Sequence, residues 1–302
     1  MGVVGGSDMQ TQFWTHVDVN FSLSGTTDNG LTFGASVDLD EADNINGDGN
    51  DGVAIFLSGN FGTVTMGDTD GALDWAMTEM VGNPGSIADN ETTHGGYAGS
   101  FLDGAYDNQI LRYDTTIGGL GFAASVELDD SGDRDEGVAV GIRYSVAGLN
   151  LGLGYQSATV AASSTGSLSV AGACIDDCII NFVPGGYQLD VDVLGISANY
   201  SMGSVVAGVS YATYDATYAD GTGEMDQVVL SLGYSMDAIS VGVNWAQMDG
   251  SFTVGGSTYL IDQEGWGAAA AYDLGGGAAL HLGYGSAQGG DDTWSFGLAM
   301  SF

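Results

Sequence analysis

Trp294-Ser-Phe296-Gly-Leu298-Ala-Met300-Ser-Phe302 is the stretch that decides the fold. In an extended chain, side chains point alternately to opposite faces. Trp294, Phe296, Leu298, Met300 and Phe302 therefore share one wholly apolar face, and Ser295, Gly297, Ala299 and Ser301 share one that is small and wettable. The same dyad pattern runs upstream through Val17–Leu23, Leu31–Leu39, Leu120–Leu128, Val138–Val146, Leu149–Tyr155, Val205–Tyr211, Val228–Tyr234, Ile239–Trp245 and Trp266–Leu274. With the opening segment included, 16 strands are predicted. Short turns such as Ala147-Gly148 and Gly275–Gly277 alternate with long polar loops. An even set of alternating strands joined in this way predicts an all-β, antiparallel transmembrane β-barrel with a water-filled lumen.

Composition supports the same reading. No Pro- or Ser-rich linker divides the 302 residues, so one domain over 1–302 is expected. No apolar run reaches about 18 residues, which argues against a transmembrane helix. Backbone groups in hydrocarbon must be paired internally, and for strands a closed sheet achieves this. Gly (52) is abundant and Pro (2) scarce, as crowded inward positions and unbroken ladders require. No secretory leader is read ahead of the first strand, so the chain is expected to start within the mature protein or after leader removal. Asp and Glu number 39 against three basic residues, Arg112, Arg134 and Arg143, giving a net charge of −36. Such a field repels nucleic acid and anionic solutes and concentrates cations. A solvated acidic surface suited to salty water is a second contributing reading.

Thr69–Asn108 shows no alternation, and loops of this length generally serve a function. It holds Asp70, Asp74, Glu79, Asp89, Glu91, Asp103 and Asp107 together with Leu73, Trp75, Met77, Val81 and Phe101. The apolar residues fit a loop folded onto the inner wall, leaving acids to line a constriction; an external surface loop is the alternative. Parity places His16, Asp18, Asp38, Glu127, Asp190, Asp192, Arg112, Asp114 and Arg143 on the lumen side or at its mouth. Arg112 reads either as a selectivity residue or as a structural partner of carboxylates. In the strand from Tyr187 to Met202 the apolar phase changes near Gly195, which predicts a β-bulge. Asn44, Asn46, Asp48 and Asn50 resemble the start of an oxygen-rich calcium loop, although Ile55 stands where a bidentate Glu is usual; a solvated hairpin tip is the plain reading. Cys174 and Cys178, in the insert 161–186, are spaced for a small disulfide staple worth about 2 kcal/mol, or for half of a metal site. No GxSxG, P-loop or HExxH motif is present, so no enzyme is expected.

Several segments resemble the sixteen-stranded general diffusion porins of alphaproteobacteria, of the Rhodobacter type. These are Ser24–Ser36, Phe56–Gly62 with Met66-Gly-Asp68, Arg112-Tyr-Asp114, Tyr272–Ala278 and the terminal Phe302. The resemblance implies a homotrimer in the outer membrane of a Gram-negative bacterium, a third long loop forming the eyelet, passage of small hydrophilic solutes, and bound calcium. It also implies a basic cluster facing the loop acids. Where the family offers inward arginines on its second strand, His16 and Asp18 stand here, so cation preference is expected instead. The family's first strand normally begins several residues before the position of Met1. A non-conducting barrel with an adhesive or structural role is the competing expectation.

Overall fold

A computed structural model describes residues 1–39, 52–89, 91–106, 108–161, 188–219, 221–254, 256–288 and 292–302. The elements in chain order are β1 (Gly2–Gly6), β2 (Gln12–Trp14), β3 (Asn20–Thr26), β4 (Thr32–Asp38), β5 (Val53–Gly59), β6 (Gly62–Gly67), α1 (Ala72–Ala76), β7 (Ile110–Ile117), β8 (Leu120–Glu127) and β9 (Gly137–Val146). They continue as β10 (Leu149–Ala161), β11 (Gln188–Met202), β12 (Val205–Tyr218), β13 (Gly221–Met236), β14 (Ile239–Val254), β15 (Ser257–Gly275), β16 (Ala278–Ala287) and β17 (Asp292–Met300).

From β3 to β17 each strand pairs antiparallel with the next, β17 pairs with β1, and β1 pairs with β2. Following the alternation of direction through these ladders, β2 and β3 run the same way. They are successive parts of one stretch of chain, separated by residues 15–19; β2 is in register with β1 and β3 with β4. The second strand, expected as one unit, is thus interrupted, and among the described residues 17 strand segments supply the sixteen expected wall positions. The carbonyl of Val19 still accepts the Leu39 amide at 3.1 Å, which ties the interruption to the neighbouring strand.

The wall changes character with height. On the outward face, β11 carries Leu194, Ile196, Ala198, Tyr200 and Met202, and β13 carries Val228, Leu230, Leu232, Tyr234 and Met236. Leu194–Met202, Val228–Met236 and Trp266–Leu274 each span nine residues, near the roughly 9–11 that a tilted strand needs to cross hydrocarbon. Beyond this band the same face becomes acidic: Asp190 and Asp192 on β11, Asp215 on β12, Glu224 and Asp226 on β13, Asp249 on β14, Asp262 and Glu264 on β15, all exposed. The inward face changes in the opposite sense, from Gly and Ser to buried Leu189, Val191, Val193, Tyr214, Met225, Met248 and Phe252. These pack against Ala98, Phe101 and Leu102 of the long loop.

This inversion corrects two expectations. The ladder partners of β11 continue without a shift through Gly195, so no bulge lies there; a shift occurs instead between Asp273 and Gly275. Asp190 and Asp192 consequently point outward, on the face of Leu194 and Ile196. Strand phase is constant and the surroundings change: lipid gives way to water outside, and lumen gives way to a packed loop inside.

Outward aromatics mark the boundary. The Tyr155 hydroxyl donates to Asp192 at 2.5 Å, the Tyr211 hydroxyl to Asp226 at 2.8 Å, and the Trp245 Nε1–H to Glu264 at 2.6 Å. Each pair clasps two neighbouring strands where an amphipathic ring is suited to the membrane interface. The boundary can be checked on one face of β13. Leu232→Arg is expected to weaken folding into lipid vesicles by about 2–4 kcal/mol. Glu224→Arg, on the same face but above the band, should stay within about 0.5 kcal/mol of the parent. Equal denaturant midpoints for the two variants would contradict the assigned height.

A candidate permeation site at the long loop

The loop between β6 and β7 enters the barrel through α1. Leu73, Trp75 and Ala76 of this short helix are buried against the inner wall. The Gly71 amide donates to Asp103 at 2.5 Å and the Ala72 amide to Ser125 Oγ at 2.8 Å, which satisfies two donors at the helix start. The Arg143 guanidinium lies 3.7 Å from the Trp75 ring centroid and donates to the Trp75 carbonyl at 3.3 Å. Stacking on an indole face and hydrogen bonding to the backbone together fix the helix against β9.

The rest of the loop stays on the wall. Trp14 Nε1–H donates to the Ile87 carbonyl at 3.0 Å, and Gln227 Nε2 donates to the Gly96 carbonyl at 3.1 Å. Glu127 Oε1 accepts the amides of Tyr106 at 3.2 Å and Asn108 at 3.0 Å, closing the loop onto β8. From outside, Arg134 sits 4.4 Å from the Tyr106 ring centroid, donates to the Ala105 carbonyl at 3.0 Å and pairs with Asp129 at 2.7 Å.

Open space lies between the start of the loop and β3–β6. A cavity of about 520 Å³ is bounded there by Ser22, Ser24, Ser36, Thr63 and Thr65 on the wall and by Asp68, Thr69 and Asp70 on the loop. The wall side is uncharged, its hydroxyls interleaved with Leu23, Ala35, Ala54 and Phe56. Arg112 closes one edge: its Nη1 donates to the Asp70 carbonyl at 2.6 Å and its Nε to Asp114 at 3.3 Å, and it lies 4.0 Å from the Asp70 carboxylate. The Arg112 side chain is 11% exposed and that of Asp70 64%, so the carboxylate rather than the guanidinium meets the open space.

The predicted loop acids divide by surroundings. Asp70 and Asp89 are exposed. Asp74 and Glu79 are largely withdrawn, Asp103 and Glu91 are buried, and so is Glu127 on β8. Asp103 takes Gln156 Nε2 at 2.7 Å, and Glu91 takes the Ser86 hydroxyl. These groups face the seam between loop and wall. His16 and Asp18 lie in the exposed stretch between β2 and β3, Asp38 ends β4, and Arg143 is committed to Trp75. Asp107, the suggested calcium residues Asn44, Asn46, Asp48 and Asn50, and the suggested Cys174–Cys178 disulfide lie outside the described residues. Among the described residues no group of three or more His, Cys, Asp or Glu side chains is placed to hold a metal. Arg134 and Tyr106 were not singled out from sequence as site residues. The one available signal was the scarcity of arginine, which makes each of the three improbable as surface filler.

Burial is the main cause of the weakened acidity of the carboxyls in this seam. It pushes Asp74 up to about 9, with Glu79, Asp70 and Asp103 adding like-charge repulsion. Burial raises Glu79 to about 7, and raises Asp103 to about 7 against the opposing hydrogen bonds from Gly71 and Gln156. At neutral pH Asp74 therefore keeps its proton and donates it in a hydrogen bond to Glu79.

The sign of the pH dependence follows. Between an ordinary carboxyl value near 4 and the raised folded value, the native state binds more protons than the unfolded chain, so stability falls as pH rises. Asp74→Asn, which keeps the donor without the charge, is expected to flatten that fall between pH 5 and about 9. Thermal unfolding in detergent across this range checks it, and an unchanged slope counts against the proton assignment.

The sequence matches the Gram-negative porin family over residues 2–292. A curated porin of Rhodobacter capsulatus is 34% identical over 165 residues, covering 52% of this chain and 53% of that protein. The match thus spans about half the length of the curated relative. Among solved structures, a porin refined at 1.8 Å resolution superposes with TM-score 0.75 at 24% identity, covering 100% of this chain and 97% of the other. The trimer form of OmpT, an outer membrane protein of Vibrio cholerae, gives TM-score 0.69 at 14% identity over 99% and 96%. At these identities the structural likenesses establish the fold, and the family match reaches nearly the whole chain. The chain belongs to the Gram-negative porin family and is an outer-membrane β-barrel.

Proposed function

We propose that this barrel is a passive channel for small hydrophilic solutes, that it favours cations, and that it assembles as a homotrimer. The observation that carries the reading is the asymmetry of the opening. Asp70 presents an exposed carboxylate to a cavity of about 520 Å³ whose opposite wall is uncharged, hydroxyl groups interleaved with Ala54 and Phe56, while Arg112 is turned into Asp70 and Asp114. The remaining inward arginine, Arg143, is engaged by Trp75.

Exclusion by size follows from the width left beside the loop, and charge enrichment follows from the field of the whole chain. Hydroxyl groups on the wall exchange hydrogen bonds with water, sugars and hydrated ions at similar free energy, so they favour passage over tight binding. Assembly is supported by the outward faces of β2, β3 and β4, where Phe13, Phe21, Leu23 and Phe33 remain exposed. Porin-family membership supports a channel rather than an enzyme.

Reversal potentials in a salt gradient across a planar bilayer test the reading, with cation preference expected. One unit charge about 4 Å from an ion in water is worth about 1 kcal/mol, or roughly fivefold in occupancy. Asp70→Asn should therefore reduce the cation-to-anion permeability ratio by up to roughly fivefold. Asp74→Asn should leave it unchanged, because that carboxyl is already protonated. Anion preference in the parent, or absence of current, would refute the proposal.

A further inference from the structure

Where the loop crosses β12, β13 and β14, each strand presents to it a glycine and, two residues away on the same face, a polar side chain. The pairs are Gly208 with Ser210, Gly233 with Ser231, and Gly242 with Asn244. Each polar member bonds the loop backbone. Ser210 Oγ donates to the Glu79 carbonyl at 3.2 Å, the Val81 amide donates to Ser231 Oγ at 3.0 Å, and Asn244 Nδ2 donates to the Thr92 carbonyl at 3.4 Å.

Each glycine leaves room that a side chain would take. A Cβ built at Gly233 falls 2.4 Å from the Cα of Gly82, and one at Gly242 falls 2.4 Å from the Gly82 carbonyl oxygen. Gly82 itself has φ +75, a conformation that favours glycine, so three glycines meet backbone to backbone at this crossing. At Gly208 the first obstacle is a side-chain tip, Val81 Cγ2 at 2.7 Å, with Ser231 Oγ at 2.9 Å.

We propose that these glycine–polar pairs form a fitted seat that positions the constriction loop and so sets the width of the open path. Gly208, Gly233 and Gly242 are positioning residues for permeation; they touch loop, not solute. The glycines fix how deep the loop lies and the polar partners fix its place along the strand. A methyl at Gly233 meets backbone that cannot rotate away, so the loop is displaced toward the lumen. A methyl at Gly208 meets a side chain that can be shortened. The consequence for permeation rests on the channel reading above; the seat itself does not.

The test uses the full-length barrel in two arms, single-channel conductance and amide hydrogen exchange across loop residues 78–83. Gly233→Ala is expected to lower conductance and to speed exchange at Val81 roughly tenfold, as an amide that loses its closed partner does. Gly208→Ala should produce a smaller loss of conductance that Val81→Ala, in the double variant, restores; that rescue separates positioning from general destabilisation. Unchanged conductance and exchange in Gly233→Ala, or failure of Val81→Ala to rescue Gly208→Ala, would overturn the seat. A Gly233→Ala chain that does not fold leaves the Gly208/Val81 pair to decide. If the parent passes no current, the channel reading falls and the exchange arm alone judges the seat.

Discussion

The constraint on which the structure depends is that no backbone N–H or C=O can be left unpaired in hydrocarbon. A strand satisfies only half of its groups on each side, so every strand needs two neighbours. The ladders give two neighbours to every strand from β4 through β17 and to β1, while β2 and β3, successive parts of one length of chain, each take one, β1 and β4 respectively. Side-chain alternation follows, because a ladder fixed in register fixes which residues meet lipid.

Enclosing a lumen creates a second surface, and the long loop determines what that surface is. Against β10–β15 the loop converts the upper lumen into a packed interior, with Phe101 and Leu102 set among Val191, Tyr214 and Phe252. Against β3–β6 it leaves a cavity. That cavity lies on the side of the barrel where strands are short and the wall is uncharged. The withdrawn carboxyls Asp74, Glu79 and Asp103 belong to the loop's own packing, and Asp68 and Asp70 are the loop carboxylates beside the cavity.

Much of the architecture could be read from residues alone. Period-two runs such as Trp294–Phe302 and Leu149–Tyr155 identified strands and their lipid faces, and the absence of alternation identified the loop. Reading failed where one pattern served two environments. In β11, Leu189-Asp-Val191-Asp-Val193 alternates as cleanly as Leu194–Met202, but apolar residues face inward in the first and outward in the second. Periodicity reports that two faces differ; it does not report which face is wet. The same limit applies to the loop acids, since Asp70 and Asp74 are alike in sequence and only their neighbours differ.

The sequence by itself determined an acidic, alternating, proline-poor chain with few choices other than a β-barrel, because local extended geometry and the demand for paired backbone groups are properties of the chain. Only the tertiary structure decided where lipid ends on each strand, which carboxylates meet the lumen, and that Arg112 and Arg143 are engaged by Asp70, Asp114 and Trp75. Those outcomes depend on contacts between residues far apart in sequence, such as Trp75 with Arg143 and Gly82 with Gly233, and distance in space sets both desolvation and Coulomb energy.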